Sequence, residues 1–280
     1  MDKMNEYNIE LSKYIKQGIL SKEEKIKIWK IAIGLQAVDG LVPSNYLIDI
    51  AREHIEGNID ISEVINRINN YYDMLVAEDD PNIRTEEADK VSARIVEVLS
   101  ENSFHFSITE ILNIHKRLFA DVLKNAGEFR KYNITKKESV LDGDTVIYSS
   151  YEKIKETLDY DLEQERNFSY KDLTIDELVK HISTFTANIW QVHPFREGNT
   201  RTIAVFIIKY LRTLGFDINN EPFDKNALYF RNALVRANYT NYEKHIFETT
   251  IYLEKFFSNL LKGTNYELRN EDIHLKDIDI

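Results

Sequence analysis

From Thr202-Ile203-Ala204-Val205-Phe206-Ile207-Ile208 through Lys209-Tyr210-Leu211-Arg212-Thr213-Leu214, the chain is apolar on nearly every face that a helix would present. A helix of that kind buries itself on all sides, so it belongs at the centre of a bundle with other helices wrapped around it. Gly215 closes it. Helical spacing dominates elsewhere too: Ser21 to Glu24, Ser107 to Glu110 and Thr174 to Glu177 read as capping boxes, and Ala88, Val91, Ile95 and Val98 form another apolar face. Four Pro and nine Gly in 280 residues leave room for few long loops. The fold class is all-α, interrupted by one β-hairpin.

The residues just before the central helix concentrate the chemistry: His193-Pro194-Phe195-Arg196-Glu197-Gly198-Asn199-Thr200-Arg201. Leu178, Ile182, Phe185 and Ile189 place a helix upstream that delivers His193 at its C-terminal end, and Pro194 stops it. The order suggests a division of labour. The His193 imidazole can take a proton. Glu197 suits Mg²⁺, which commonly takes one or two protein carboxylates and fills its other positions with phosphate oxygens and water. Amides left free at the helix start, at Gly198, Asn199 and Thr200, form an anion nest, and Arg201 adds a bidentate clamp. Phe195 anchors the loop in the core, and Arg196 faces solvent. The combination reads as nucleotide chemistry.

This stretch resembles the signature of the Fic family, His-Pro-Phe-x-(Asp/Glu)-Gly-Asn-(Gly/Lys)-Arg, and departs from it only at Thr200. The resemblance continues through His115-Lys116-Arg117-Leu118-Phe119, Ala126-Gly127-Glu128-Phe129-Arg130 and Ala233-Leu234-Val235-Arg236-Ala237-Asn238, over roughly residues 75 to 262. It implies a Fic-type helical bundle and transfer of AMP from ATP to a Tyr, Thr or Ser hydroxyl of a target protein, with pyrophosphate leaving. His193 is then the base, Glu197 the Mg²⁺ carboxylate, Gly198, Asn199 and Thr200 the anion hole, and Arg201 the phosphate clamp. Asn238 aligns with a position beside the adenosine, where Tyr229 and Phe230 are either pocket wall or core.

Two departures from the family pattern matter. Thr200 stands where AMP-transferring members usually carry Gly and phosphate-transferring members Lys; without a Lys charge the balance favours AMP transfer. Ala204 stands where many members place a second arginine, the partner of an inhibitory glutamate carried by the pattern (Ser/Thr)-x-x-x-Glu-(Gly/Asn). No intact copy of that pattern exists in the chain, and its best remnant, Leu35-Gln36-Ala37-Val38-Asp39-Gly40, has Leu35 and Asp39 at the diagnostic positions. The expectation is a transferase without the usual internal brake.

Strand formers on either side of Asp142-Gly143-Asp144 predict the hairpin, over residues 140–148. The resemblance assigns it the role of a flap whose edge pairs with an extended target segment. Lys136 and Lys137, just before it, are candidates for target docking or solvated surface. Residues 1–75 resemble the antitoxin-like helical unit found beside some Fic domains. Ala77 to Asn82 marks the boundary with a catalytic domain over 76–263, and residues 264–280, which lose periodicity, are expected to be a loosely ordered tail.

A net charge of −11 and a pI near 5.2 argue against nucleic acid as a partner. There is no secretory apolar region and no stretch of membrane-spanning length, so a cytoplasmic protein is expected unless a specialised system exports it. The absence of cysteine excludes disulfides and thiolate metal sites. Self-modification and a homodimer are further expectations, the latter from the family. Removal of AMP, phosphate transfer and a nonenzymatic control module remain open alternatives.

Overall fold

The computed structural model of the chain describes residues 20–76, 83–218 and 221–275; the expected boundary at 77–82 lies outside them, as do residues 1–19 and 276–280. Ten α-helices are present among the described residues: α1 (Lys22–Gly34), α2 (Asn45–Glu56), α3 (Ile61–Val76), α4 (Ile83–Ser100), α5 (Ile108–Phe119), α6 (Ile154–Asn167), α7 (Ile175–Val192), α8 (Asn199–Thr213), α9 (Glu221–Ala237) and α10 (Ile251–Lys262). None of the described residues forms a strand; one isolated bridge joins Asn241 to Ile246.

The centre is α8, whose residues from Asn199 to Leu211 are all buried, as its apolar pattern requires. α5, α7 and α4 pack around it. Its one buried ammonium, on Lys209, is satisfied by backbone carbonyls at the end of α4, donating to Val98 O and Glu101 O at 2.8 Å each. α7 starts at the capping box that the sequence predicts. Thr174 Oγ1 accepts from the Glu177 amide at 3.3 Å, and Glu177 Oε2 accepts from the Thr174 amide at 2.8 Å.

The N-terminal helices share one continuous core with the rest. α1 lies against α4 and α9, and it approaches α9 so closely that a Cβ on Gly34 would sit 2.3 Å from the Phe223 carbonyl oxygen. Only glycine fits there. Ser44, at the start of α2, is fastened to α4: its amide donates to Asp89 Oδ1 at 2.8 Å and its hydroxyl to Oδ2 at 2.5 Å. Between α1 and α2, Leu35–Asp39 forms a 3-10 turn that abuts α8 and α9.

Two expectations are corrected. The segment over 140–148 is not a β-hairpin. Val140 and Leu141 are both fully buried, which two consecutive residues of a one-faced strand cannot be, and Ser139–Leu141 coils into a 3-10 turn closed by left-handed Asp142 and Gly143. The second arm does alternate, with Val146 and Tyr148 buried and Ile147 80% exposed, but no strand pairs with it among the described residues. Residues 264–275 also differ from a loose tail, because Ile273 and Leu275 insert into the core despite the lost periodicity.

Candidate active site

α7 ends on His193, which turns the chain in a left-handed conformation (φ 49°, ψ 59°) as its amide donates to Trp190 O at 3.0 Å. A non-glycine residue seldom adopts this conformation, so something must hold it. Arg130 does. Its Nε donates to His193 O at 2.8 Å, its Nη1 to Tyr132 O at 2.7 Å and its Nη2 to Ser149 O, while its amide donates to Pro194 O at 2.8 Å. One guanidinium thus ties the end of α7 to both arms of the loop that precedes α6.

The His193 ring is sealed. The residue is 3% exposed, its ring centroid lies 4.2 Å from that of Tyr148, and Trp190 meets it edge-on. Neither ring nitrogen has a hydrogen-bond partner among the described residues. Burial, followed by the nearby charges of Lys136 and Arg130, drives its pKa well below the ordinary histidine range. The imidazole is therefore a neutral base with its lone pair unspent.

The loop after His193 is fixed from within the core. Phe195 is 1% exposed and stacks on His115 at a centroid distance of 3.7 Å, confirming it as the anchor. The Gly127 amide donates to His115 Nδ1 at 2.7 Å, so Nε2 carries the proton and donates to Glu197 O at 3.1 Å. Burial holds the His115 pKa down to about 4, consistent with that neutral tautomer. The Asn199 side chain staples the turn, accepting from Phe195 N at 2.9 Å and donating to Phe195 O at 2.8 Å. Thr200 Oγ1 accepts from Trp190 Nε1 at 3.0 Å. Gly198 opens α8 with φ +73°, directly over the Phe119 ring.

Asn199 and Thr200 therefore spend their side chains inward, leaving their backbone at the helix start. α8 has no side-chain cap, and its first turn closes with Thr202 N donating to Gly198 O at 3.0 Å, so the amides of Asn199 to Arg201 precede it. In front of that start is a cavity of about 280 Å³ lined by Asp39, Arg84, Glu87, Lys136, Glu197 and Arg201. The Glu197 carboxylate is 55% exposed and its nearest cation, Arg196 Nε, is 3.6 Å away. One unencumbered carboxylate beside a phosphate cradle fits a divalent ion that arrives with its nucleotide.

Arg201 is not free. Its Nη2 donates to Glu87 at 2.5 Å, its Nη1 to Gln36 Oε1 at 3.0 Å, and its Nε lies 2.9 Å from Asp39 Oδ2, while the guanidinium rests on the Phe119 ring. Two carboxylates and an amide oxygen therefore hold the residue expected to clamp phosphate. Leu35 and Asp39 break the inhibitory pattern, yet the 3-10 turn carries Asp39 to Arg201 rather than to position 204, which is a buried alanine.

Asn238 donates to Ala187 O at 3.1 Å and Leu234 O at 3.0 Å, tying α9 to α7. Tyr229 and Phe230 are core, at 1% and 0% exposure. The structure adds Arg130, His115, Gln36 and Glu87 to the site's supports. The first two fall in stretches that carried the family resemblance, but a chain-distant carbonyl contact leaves no trace in residue spacing.

An all-α fold whose buried central helix opens in a glycine–asparagine cradle behind a neutral histidine is the Fic architecture. Residues 105–211 match the Fic/DOC family. It is 29% identical over 149 residues to protein adenylyltransferase VbhT of Bartonella schoenbuchensis, a match covering 49% of this chain and 30% of that relative's length. It is 26% identical over 155 residues to the probable protein adenylyltransferase y4lH of Sinorhizobium fredii, covering 52% of this chain and 71% of that protein. Among solved structures, the N-terminal Fic domain of the Bep8 effector from Bartonella sp. 1-1C aligns with a TM-score of 0.50 and 17% identity over 64% of this chain and 84% of that one. The Fic domain of a second effector, from Bartonella sp. AR 15-3, aligns with a TM-score of 0.50 and 17% identity over 70% and 88%. No helix among the described residues is long and apolar enough to cross a membrane.

Proposed function

We propose that the protein transfers AMP from ATP to a hydroxyl side chain of a target protein. The observation that carries this reading is the pairing of a neutral, unpartnered His193 with the uncapped start of α8 within the same nine residues. The names of VbhT and y4lH, two of the relatives it resembles, point the same way.

The chemistry follows from the residues. His193 removes the proton from the target hydroxyl as its oxygen attacks the α-phosphorus. The bond from that phosphorus to the pyrophosphate oxygen breaks, leaving AMP esterified to the target and the proton on His193. Amides at Asn199 to Arg201 and the Arg201 guanidinium hold the phosphate charge in place, with little reorganisation needed at the moment of reaction. Glu197 is the residue that would hold Mg²⁺, which when bound offsets charge on the phosphates. The extended arm at Thr145 to Ser149, with Ile147 outward, is the place for an extended target segment to lie.

In the described form the site is closed: Tyr148 covers His193, and Asp39 and Glu87 occupy Arg201. The N-terminal segment then acts as a control element through Asp39. Incubation of the chain and a cell lysate with Mg²⁺ and ATP labelled at the α- or the γ-phosphate tests the reading. Protein label from the α-position only, lost in His193→Ala, is the expected result. Label from the γ-position points instead to phosphate transfer, and no label with ATP still bound points to a binding module.

A further inference from the structure

Lys136 faces the cavity in front of α8, on the same lining as Arg201, Asp39 and Glu197, rather than an outer docking surface. It is half-buried. The carboxylates nearby are committed elsewhere: Asp39 and Glu87 pair with Arg201, and Glu138 is held by Arg231 at 2.7 Å. Glu197 approaches Arg196 at 3.6 Å. Among the described residues, no hydrogen bond or ion pair is made by the Lys136 ammonium.

An ammonium withdrawn from water with no counter-charge is costly unless an anion joins it. Burial accordingly lowers the Lys136 pKa, although Asp39, Glu138 and Glu197 pull it the other way. Each of the other cations on this lining has at least one partner. Arg201 holds two carboxylates, and Arg84 Nη2 donates to Asp39 O at 3.0 Å. Along α8 itself, Arg201 is the cation that reaches this lining; Ala204, further along, is fully buried. Lys136, on the loop before α6, is therefore the cation of this lining that makes no hydrogen bond or ion pair among the described residues.

We propose that Lys136 binds the terminal phosphate of a nucleoside triphosphate in this cavity, supplying from the loop a cation that no carboxylate among the described residues holds. It is thereby a specificity-determining residue for triphosphate over monophosphate. The assignment rests on the nucleotide-transfer reading above. The phosphate nearest the nucleoside belongs to the amides at the start of α8, and the distal end of the chain extends toward Lys136.

Calorimetric titration of the whole chain with ATP and with AMP, at fixed magnesium concentration, tests this in the wild type, Lys136→Met and Lys136→Arg. Lys136→Met is expected to weaken ATP binding about tenfold, as one lost charge contact does, while AMP binding stays within about twofold. Lys136→Arg restores most of the ATP affinity. An unchanged thermal midpoint shows that the Met variant is folded. Equal weakening of ATP and AMP overturns the assignment, as does full ATP affinity in Lys136→Met; if transfer falls while ATP affinity is kept, Lys136 belongs to the target instead. A wild type that binds neither nucleotide sinks the transfer reading and this assignment together, whereas the other outcomes sink the assignment alone.

Discussion

Asp39 Oδ2 lies 2.9 Å from Arg201 Nε, so a turn in the N-terminal segment reaches the first turn of the central helix. Arg201 is only 2% exposed and also holds Glu87, which means that phosphate oxygens must displace carboxylates to use it. Removing one carboxylate lowers that cost. Asp39→Ala should raise the initial rate of AMP transfer at subsaturating ATP by about tenfold, or ~1.4 kcal/mol in barrier. Label incorporation from α-labelled ATP measures it, and an unchanged rate counts against Asp39 as a restraint.

The pH dependence of transfer follows from His193. Its pKa is depressed below the ordinary value of 6.5, first by burial and then by Lys136 and Arg130, so the free base prevails throughout the neutral range. kcat/KM should stay level from about pH 8 down to about 6.5 and fall only at more acidic pH. A decline that starts near pH 7 in buffers of constant ionic strength would show that His193 is not the titrating base or is not buried when it acts.

How much of this was legible beforehand depends on whether the signal was local. The apolar run after Asn199 specified a buried helix, and the Thr174–Glu177 box specified the start of the helix that delivers His193; both are present. The expected hairpin does not form because strand propensity at Val140 and Leu141 loses to the burial of both side chains in a 3-10 turn. Asp39 falls outside the inhibitory pattern because that pattern requires a glutamate at a fixed spacing, whereas an ion pair requires only that the fold bring the charges together. Arg130 was visible as part of a motif. Its task of holding the His193 carbonyl became apparent only with the loop in place.

Positioning by Arg130 gives a separable test. Because it ties His193 O, Tyr132 O and Ser149 O together, Arg130→Lys keeps the charge but loses the planar fork. Small displacements of a base can cost about a hundredfold in rate, and a loss of that order in kcat is expected with ATP affinity nearly unchanged. A matching loss of ATP affinity would place Arg130 in nucleotide binding instead.

Acid should destabilise the fold through two buried histidines that take no part in the proposed proton transfer. His54 Nδ1 accepts from Trp29 Nε1 at 3.0 Å and His115 Nδ1 from the Gly127 amide at 2.7 Å, so each must be unprotonated there. Burial lowers both pKa values from 6.5 to about 4. As pH falls, the unfolded chain takes up these protons first. The stabilising contribution is complete above about pH 6.5 and is lost as pH falls toward 4, on the order of 3 kcal/mol for each histidine. Thermal midpoints measured from pH 7 to 4.5 should drop, and His115→Gln should flatten the slope; an equally steep slope in that variant would exclude His115 as a source.

Gly198 combines two constraints that a double variant separates. Its φ of +73° disfavours any residue with a Cβ, and a Cβ built there would lie 2.4 Å from the Phe119 ring. Gly198→Ala should cost about 2–4 kcal/mol in urea unfolding, from backbone conformation and steric overlap together. It should also weaken ATP binding, because the displaced Phe119 ring is the surface on which the Arg201 guanidinium rests, 4.8 Å from its centroid. Adding Phe119→Leu makes room for the methyl group but leaves φ unchanged. The double variant's loss should then fall short of the sum of the two single losses by roughly 1 kcal/mol. Strict additivity would locate the whole penalty in the backbone and remove the ring from the account.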